Sequence, residues 1–241
     1  MPKTYICTLK LCDYLTFSST VSYANVMDVT YMVYKPQPYI HNYPLMYGLG
    51  GLLYASLASP HVETAEIDYS LLDEVERRLY VYPARPRRID LKRMLLNIKG
   101  ERAVEVVQPR PKSMYPWHVM HLYFAPGSVF ETVVVTELDN VRIPSIIRVG
   151  VKRQGVFRVV CEEATVKEYT SGLTDPVNLG DLARYKLNPD SYVMLLNTKT
   201  ARRGVPGSNT IVKAYYRENK VALLESRSGI RFRVPLIGVH H

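Results

Sequence analysis

The chain has 241 residues, enough to bury a sizeable core in one large domain or in one domain with a substantial subdomain. Its 31 lysines and arginines outnumber 22 acidic residues, and the net charge of +9 makes nucleic acid the first partner to consider. Three cysteines without a Cys-x-x-Cys pair argue against a disulfide framework or zinc site, and without a signal-peptide pattern the cytoplasm is the default location.

The N-terminal part of the chain predicts a strand, an irregular excursion and a helix. Residues 4–17 alternate between apolar and polar positions, as a half-buried strand does. Residues 18–39 are polar, rich in tyrosine and contain two prolines, which indicates a long irregular segment. Asn42 is a candidate N-cap with Pro44 in the first turn, and a helix follows. Its apolar part, 45–58, is short for a membrane span and is typical of a buried helix.

The most basic segment of the chain, residues 85–93, has five cations and a single acid, Asp90. The cations are Arg85, Arg87, Arg88, Lys92 and Arg93. Charge runs of this kind are commonly solvated faces, and nucleic-acid binding is the alternative.

The C-terminal half has the pattern of short strands separated by turns. The predicted strands are 119–124, 129–137, 146–151, 156–166, 211–216, 221–225 and 230–236, with a loop-like stretch over 171–190. The hairpin that contains Arg148, Lys152, Arg153 and Arg158 is basic, which suits either a protected sheet edge or contacts with phosphate. These elements favour one compact α+β unit over two independent domains.

Motifs of the common nucleotide-binding folds, metalloproteases and serine hydrolases are absent from the sequence. His118 and His121 would face opposite ways on a strand, so a shared metal ion is not expected. We expect no cofactor and no metal. A metal-independent ribonuclease needs a base, an acid and a cation, and His41, Tyr43 and the basic residues are of suitable types. This activity remains the alternative to binding alone.

Four blocks of sequence occur in the order of a known family. YIHNYPLMYGLGGLLYA, at 39–55, is similar to an Ile-x-Asn-Tyr-x-Leu-x-Tyr-x-Leu-Gly signature, and YPARP, at 82–86, to a Tyr-x-Thr-Pro-Ala region. FAPGSVFETVVVTE, at 124–137, is similar to an Ala-Pro-x-Ser-x-Phe turn, and PSIIRVGVKRQGVFRV, at 144–159, to a Pro-x-x-Ile-Arg-Leu-Gly-Lys segment. Together they resemble the Cas-five family subunit of type I-D CRISPR effector complexes. Val151 replaces the family's lysine, so Lys152 or Arg153 is expected to supply that cation.

The resemblance implies a ferredoxin-like core of the repeat-associated (RAMP) RNA-binding superfamily, with an inserted β-hairpin thumb. Residues 1–241 would form a single domain, with the core over about 1–170 and a β-rich elaboration over about 171–241. The implied function is that of a non-catalytic subunit of an antiviral ribonucleoprotein, the Cascade complex. It would bind the five-prime handle of crRNA, cap the filament of repeated backbone subunits and contact the large subunit near the PAM, with target DNA nearby. We expect no membrane partner.

The predicted RNA contacts combine this resemblance with the residue pattern. The expected phosphate contacts are Arg85, Arg87, Arg88, Lys92, Arg93, Arg148, Lys152, Arg153 and the helix N-terminus at Asn42. The candidates for base stacking are Tyr43, Tyr47, Tyr115 and Trp117, for each of which core packing is the alternative. Arg202 and Arg203, on a Gly/Pro loop, are candidates for contact with the large subunit or DNA. A structural adaptor that meets an acidic protein is a further alternative.

Overall fold

The computed structural model describes residues 3–16, 19–26, 29–50, 75, 76, 78–97, 118–139, 141–149, 155–198 and 205–237. Within these ranges the chain is mostly strand, and helix is confined to α1 (Asn42–Leu49), α2 (Leu179–Arg184) and residues 75, 76 and 78. The predicted α+β class is therefore corrected to a β-rich fold. The prediction of a long irregular segment over 18–39 is wrong, since this segment contains strands at Ser19–Val26 and Val29–Pro36. Its Val, Thr and Tyr residues favour strands, but they lack the apolar alternation by which a half-buried strand is recognised.

The strands form two sheets. Their bounds are β1 Lys3–Leu11, β2 Ser19–Val26, β3 Val29–Pro36, β4 Leu79–Val81, β5 Arg85–Arg88, β6 Leu91–Asn97, β7 His118–Phe124, β8 Val129–Thr136, β9 Ile146–Val149, β10 Gly155–Asn178, β11 Ser191–Asn197, β12 Thr210–Ser226 and β13 Arg231–Val234. The nine-stranded sheet has the order β11-β12-β10-β1-β8-β4, with β13 beside β12, β5 beside β8 and β9 beside β10. The four-stranded sheet has the order β2-β3-β7-β6.

Strand β1 occupies the centre of the nine-stranded sheet and pairs antiparallel with both β8 and β10. Leu9 lies opposite Phe130 on one side and Val159 on the other, and all three are buried. Helix α1 packs against this face, where a Cβ placed on Gly48 would lie 3.4 Å from Ile147 of β9. The Leu9 side of the sheet is therefore packed as core. The alternate residues of β1 point to the other side, where Ile6 is buried and Lys10, nearer the end of the strand, is exposed.

A disulfide joins β1 to β10, since the register of the two strands places Cys7 directly opposite Cys161 and their sulfurs are bonded. Our expectation of no disulfide is wrong for this pair. The two cysteines are 154 positions apart, and no local spacing reveals which strands pair across the sheet. Cys12 is exposed and free.

Strand β10 links the core to the C-terminal strands. It pairs with β1 over Phe157–Glu163 and with β12 over Ala164–Asn178, where the register shifts three times. The strand runs through position 170, at which the sequence places the boundary between core and elaboration. None of the helices in the described ranges is both long and apolar enough to cross a membrane.

Candidate nucleic-acid interface

Side chains from five strands align in one row on the face of the sheet that lies opposite Leu9 and helix α1. Lys10, between the buried Leu9 and Leu11, points to this face. It lies opposite Arg158 of β10 on one side and Val129 of β8 on the other. Directly opposed residues of antiparallel strands share a face, so the row continues outward on both sides. In order, it is Ile146, Arg158, Lys10, Val129 and Arg88.

Two further residues extend this row into a surface. Arg148 is two positions from Ile146 on β9 and is exposed on the same face. Val160, two positions from Arg158, is 55% exposed, and Ile146 is 65% exposed. We call the surface formed by Lys10, Arg88, Arg148, Arg158, Ile146 and Val160 the open sheet face. Its apolar side chains are exposed between cations, which suits a ligand with charged and apolar parts.

The open sheet face carries unbalanced positive charge. Side chains directly opposite on antiparallel strands are about 5 Å apart, so Lys10 and Arg158 repel each other. Across the described part of the chain, no carboxylate lies within ion-pairing distance of Lys10, Arg148 or Arg158. Arg88 lies 3.3 Å from Asp90 and donates to the carbonyl of Gly127 at 2.6 Å. An anion bound here would relieve the repulsion, and phosphates would meet this requirement.

Arg85 is held by contacts within the protein, although the sequence predicts that it contacts a phosphate. Its guanidinium donates to Glu131 at 2.9 Å and to Asp175 at 2.8 Å, and lies 3.7 Å from the centre of the Phe232 ring. These contacts tie β5 and β8 to β10 and β13. Arg87, more than half exposed, lies 3.2 Å from the same Glu131. Arg85 therefore stabilises the junction between the core and the C-terminal strands, and Arg87 remains accessible.

Asn42 and Tyr43 are buried in a polar cluster around Asp181 of α2. Asn42 donates to one carboxylate oxygen at 2.7 Å, as does Tyr80 at 2.8 Å, and Tyr43 donates to the other at 2.8 Å. Burial raises the pKa of Asp181, and these donors act in the opposite direction. In this arrangement Asn42 and Tyr43 hold α1 against α2 and do not face a ligand. Tyr47 is partly buried and packs against the core.

His41, not Asn42, caps α1, and its ring is enclosed. The Tyr43 amide donates to Nδ1 at 3.4 Å, which assigns the proton to Nε2, and Nε2 donates to the Ser208 carbonyl at 3.0 Å. Burial lowers the pKa of His41 to about 4, so the ring is neutral at pH 7. Because both nitrogens are occupied and only 4% of the residue is exposed, the helix N-terminus does not present a phosphate site here.

Lys92 and Arg93 of β6 are exposed, and Lys92 lies 5.7 Å from the ring centre of Tyr14. Tyr14 and Lys10 were not among the sequence candidates. A signal for Lys10 exists in the sequence, since a lone cation between two leucines on a strand points away from the core. Arg158 is recognisable from its basic hairpin, although the predicted RNA contacts do not include it.

The remaining candidates lie outside the described residues: Tyr115, Trp117, Lys152, Arg153, Arg202 and Arg203. In the ranges that are described, no group of three or more His, Cys, Asp or Glu residues has the geometry to hold a metal ion.

Comparison with protein families identifies the class of protein to which this chain belongs. Residues 2–202 match a family of CRISPR-associated proteins, which is most of the chain. The chain belongs to the family of type I-D CRISPR-associated protein Cas5/Csc1. The resemblance read from the four sequence blocks is thereby confirmed.

Two chains of cryo-EM structures of the type III-B Cmr-beta complex are also similar to this chain. One, from the complex bound to cognate target RNA, is 13% identical, with a TM-score of 0.31 over 58% of this chain. The match spans 48% of that chain, about half its length. The other, from the complex bound to cognate target RNA and AMPPnP, is 9% identical, with a TM-score of 0.37 over 88% of this chain and 84% of that chain. No curated protein matches the sequence significantly.

Proposed function

We propose that this chain is a non-catalytic subunit of a type I-D CRISPR interference complex that binds the five-prime handle of crRNA on the open sheet face. Family membership supports a place in a CRISPR effector. The observation that carries the RNA-binding part is the adjacent pair Lys10 and Arg158, with Arg88 on the same row and Arg148 beside it. These cations come from separate stretches of sequence and converge on one surface.

The open sheet face would act mainly on the sugar-phosphate backbone. Lys10, Arg148 and Arg158 would each neutralise a phosphate and release the counterions condensed on the strand. Ile146 and Val160 offer apolar contacts to riboses or base edges between those charges. Because guide pairing supplies the sequence reading in such complexes, shape and charge are sufficient on the protein side.

We further propose that β1, α1, β4 with β5, β8 and β10 derive from a ferredoxin-like core. The antiparallel order β10-β1-β8-β4, with α1 between β1 and β4 along the chain, supports this assignment because that fold orders its four strands 4-1-3-2. The second helix of that fold is not found among the described residues between β8 and β10, so the assignment depends on strand order. The four-stranded sheet would correspond to the inserted thumb.

The partner assignments follow from the family. The chain would cap one end of the backbone filament and contact the large subunit near the PAM, with Arg202 and Arg203 as candidate contacts to that subunit or to target DNA. The cytoplasm would be its location.

Reconstitution of the complex with charge-reversed variants tests the binding role. Lys10→Glu combined with Arg158→Glu should reduce the guide RNA that copurifies with the complex and expose its five-prime end to nuclease. Lys220→Glu is the matched control, because Lys220 is exposed and adjoins Val221, which pairs with Thr170 in a different part of β10 from Arg158. Normal guide loading and protection in the double variant would contradict the proposal.

The non-catalytic part is tested by incubating the purified chain with repeat RNA in EDTA. We expect no discrete product, since the neutral ring of His41 is enclosed between Tyr43 and Ser208. Specific cleavage by the wild type that is lost in a folded His41→Ala variant would establish the ribonuclease alternative instead.

A further inference from the structure

A stripe of aromatic rings crosses one face of the four-stranded sheet. Tyr34 of β3 lies opposite His121 of β7, with ring centroids 4.6 Å apart and planes 3° from parallel. Tyr123 follows two residues later on the same face of β7, with its ring 5.9 Å from that of His121. All three residues are partly exposed. We call Tyr34, His121 and Tyr123 the aromatic stripe.

The aromatic stripe ends at a cation and a fourth ring. Lys92 of β6 lies opposite Tyr123, and its Nζ atom is 5.7 Å from the ring centre of Tyr14. Tyr14 is 39% exposed and Lys92 is exposed. Ring faces beside an accessible cation are the combination found where proteins bind single-stranded nucleic acid.

The stripe is on the face of β7 that does not contribute to the core. Phe124, the next residue along, points the opposite way, is buried and packs edge-on against Phe130 with centroids 5.4 Å apart. Burial lowers the pKa of His121, so its ring is neutral at pH 7 and offers a π face to a ligand. The rings are therefore available without disturbing the packed side of the strand.

The aromatic stripe is continuous with the open sheet face. Leu15, which follows Tyr14, exchanges two backbone hydrogen bonds with Phe124 at 3.1 and 2.9 Å, joining the chain after β1 to the end of β7. On the other side, the amide of Ala125 donates to the carbonyl of Asp90 at 2.7 Å, between Arg88 and Lys92. A strand held by Arg88 thus reaches Lys92 and the rings without leaving the surface.

We propose that the aromatic stripe binds unpaired bases of a single-stranded nucleic acid by stacking, with Tyr14 and Lys92 at the end nearer the open sheet face. The inference rests on the proposed function in one respect: the open sheet face is taken to bind the phosphates of the same nucleic-acid strand. Each engaged base contributes about 1–3 kcal/mol in comparable sites, whereas the bases of a duplex are already stacked and stay inside the helix.

Binding measurements on the purified chain with labelled oligonucleotides test the stripe. The probes are a single-stranded RNA, the DNA strand of the same sequence and an RNA duplex. Tyr123→Leu, alone and with Tyr34→Leu, should weaken single-strand binding by roughly 5- to 100-fold with an unchanged salt dependence, and should leave duplex binding unaffected. Tyr123→Phe should bind as the wild type, because the ring face is retained. Tyr169→Leu, at a 52% exposed tyrosine on β10, is the matched control.

Several outcomes would overturn the inference. Equal affinities of the Leu and Phe variants, or an equal loss on duplex, would each do so. If Lys10→Glu with Arg158→Glu abolishes RNA binding and the Leu variants do not weaken it, the stripe fails while the proposed function stands. If the Leu variants weaken single-strand binding and the charge variants do not, the stripe stands and the proposed function fails. A larger loss on RNA than on DNA indicates a guide strand, and the reverse indicates a displaced DNA strand.

Photo-crosslinking of the wild type provides a readout that does not depend on the folding of a variant. Single-stranded RNA with 4-thiouridine should crosslink to peptides containing Tyr34, His121 or Tyr123. Crosslinks found only in other peptides would contradict the inference.

Discussion

At the scale of single residues, the cations of this chain divide into two kinds by their surroundings. Arg158 lies opposite another cation, Lys10, and has no carboxylate partner among the described residues. Arg85 is held by Glu131, Asp175 and the Phe232 ring. The first arrangement costs stability and favours an anionic ligand, whereas the second contributes stability and leaves little charge for a ligand.

This difference predicts opposite effects for the same substitution. Arg158→Gln should leave the free energy of unfolding unchanged or raise it by about 0.2–1 kcal/mol, because it removes a like-charge pair, and should weaken RNA binding. Arg85→Gln should lower the free energy of unfolding by about 1–3 kcal/mol, because it leaves the carboxylate of Glu131 without its closest partner. Urea titrations and binding isotherms of both variants check this. Destabilisation by Arg158→Gln with intact RNA binding would contradict the division.

His41 predicts an acid-dependent loss of stability. Its pKa is about 4 in the folded chain against an ordinary 6.5, so between these values only the unfolded chain binds the proton. The free energy of unfolding should therefore fall as the pH drops from 6.5 to 4, by about 3 kcal/mol from this group. Burial raises the pKa of Glu76 to about 7, which acts in the opposite direction, so the wild type must be compared with a variant.

His41→Asn is the suitable variant, because Asn is also a good N-cap and does not titrate. The unfolding free energy of the wild type minus that of the variant should fall by about 3 kcal/mol between pH 6.5 and pH 4, because only the wild type carries the titrating ring. A difference that is constant from pH 7 to pH 4 would show that His41 titrates normally.

Some residue roles are readable from the sequence and others are not. The alternation Leu9-Lys10-Leu11 predicts that Lys10 points away from the core. Arg148 and Arg158 are recognisable as members of a basic hairpin. The burial of Asn42 and Tyr43 is not readable, because it depends on Asp181, more than 130 positions away. Local sequence likewise cannot distinguish Arg85 from Arg88.

At the scale of elements, α1 and α2 begin side by side and share hydrogen bonds at their N-termini. Asn178, the N-cap of α2, donates to Asn42 at 2.9 Å and to the Ser208 carbonyl at 3.0 Å, which also accepts from His41. Gly180 allows this close approach, because a Cβ at this position would lie 2.5 Å from the Ser208 backbone nitrogen. The turn before β12 thereby fixes both helices.

Two glycine substitutions should have opposite effects. Gly180→Ala should destabilise the chain by about 1–3 kcal/mol or more, because the methyl group meets backbone that cannot move without breaking the shared caps. Gly48→Ala should be neutral or stabilising by up to about 1 kcal/mol, since its Cβ would contact Ile147 at 3.4 Å inside a helix. Chemical denaturation of both variants measures the difference. Equal effects would contradict the described packing of α2.

The elements with clear alternation were predicted closely, and those without it were not. The predicted strands 119–124 and 129–137 correspond to β7 and β8. The sequence predicts a loop over 171–190, yet β10 continues to Asn178 and α2 follows, because the turn-like residues of this stretch occupy register shifts and a helix cap. Pairing with β12 determines this conformation, so the local sequence alone does not predict it.

At the scale of the whole molecule, the net charge predicted a polyanionic partner without locating its site. The site that we propose depends on β1, which brings β10 and β8 together and so places Arg158, Lys10 and Arg88 in one row. The four-stranded sheet continues this surface through Leu15 and Phe124. In our proposal, a single strand of nucleic acid would cross both sheets along this surface.

The salt dependence of RNA affinity tests the central claim, that the open sheet face binds guide RNA through its phosphates. The logarithm of the binding constant for handle RNA should fall with the logarithm of salt concentration. The slope should decrease in magnitude by about 0.7 for each phosphate contact removed, hence by about 1.4 in a Lys10→Gln, Arg158→Gln double variant. Lys220→Gln should keep the wild-type slope. A double variant with the wild-type slope and affinity would contradict the account.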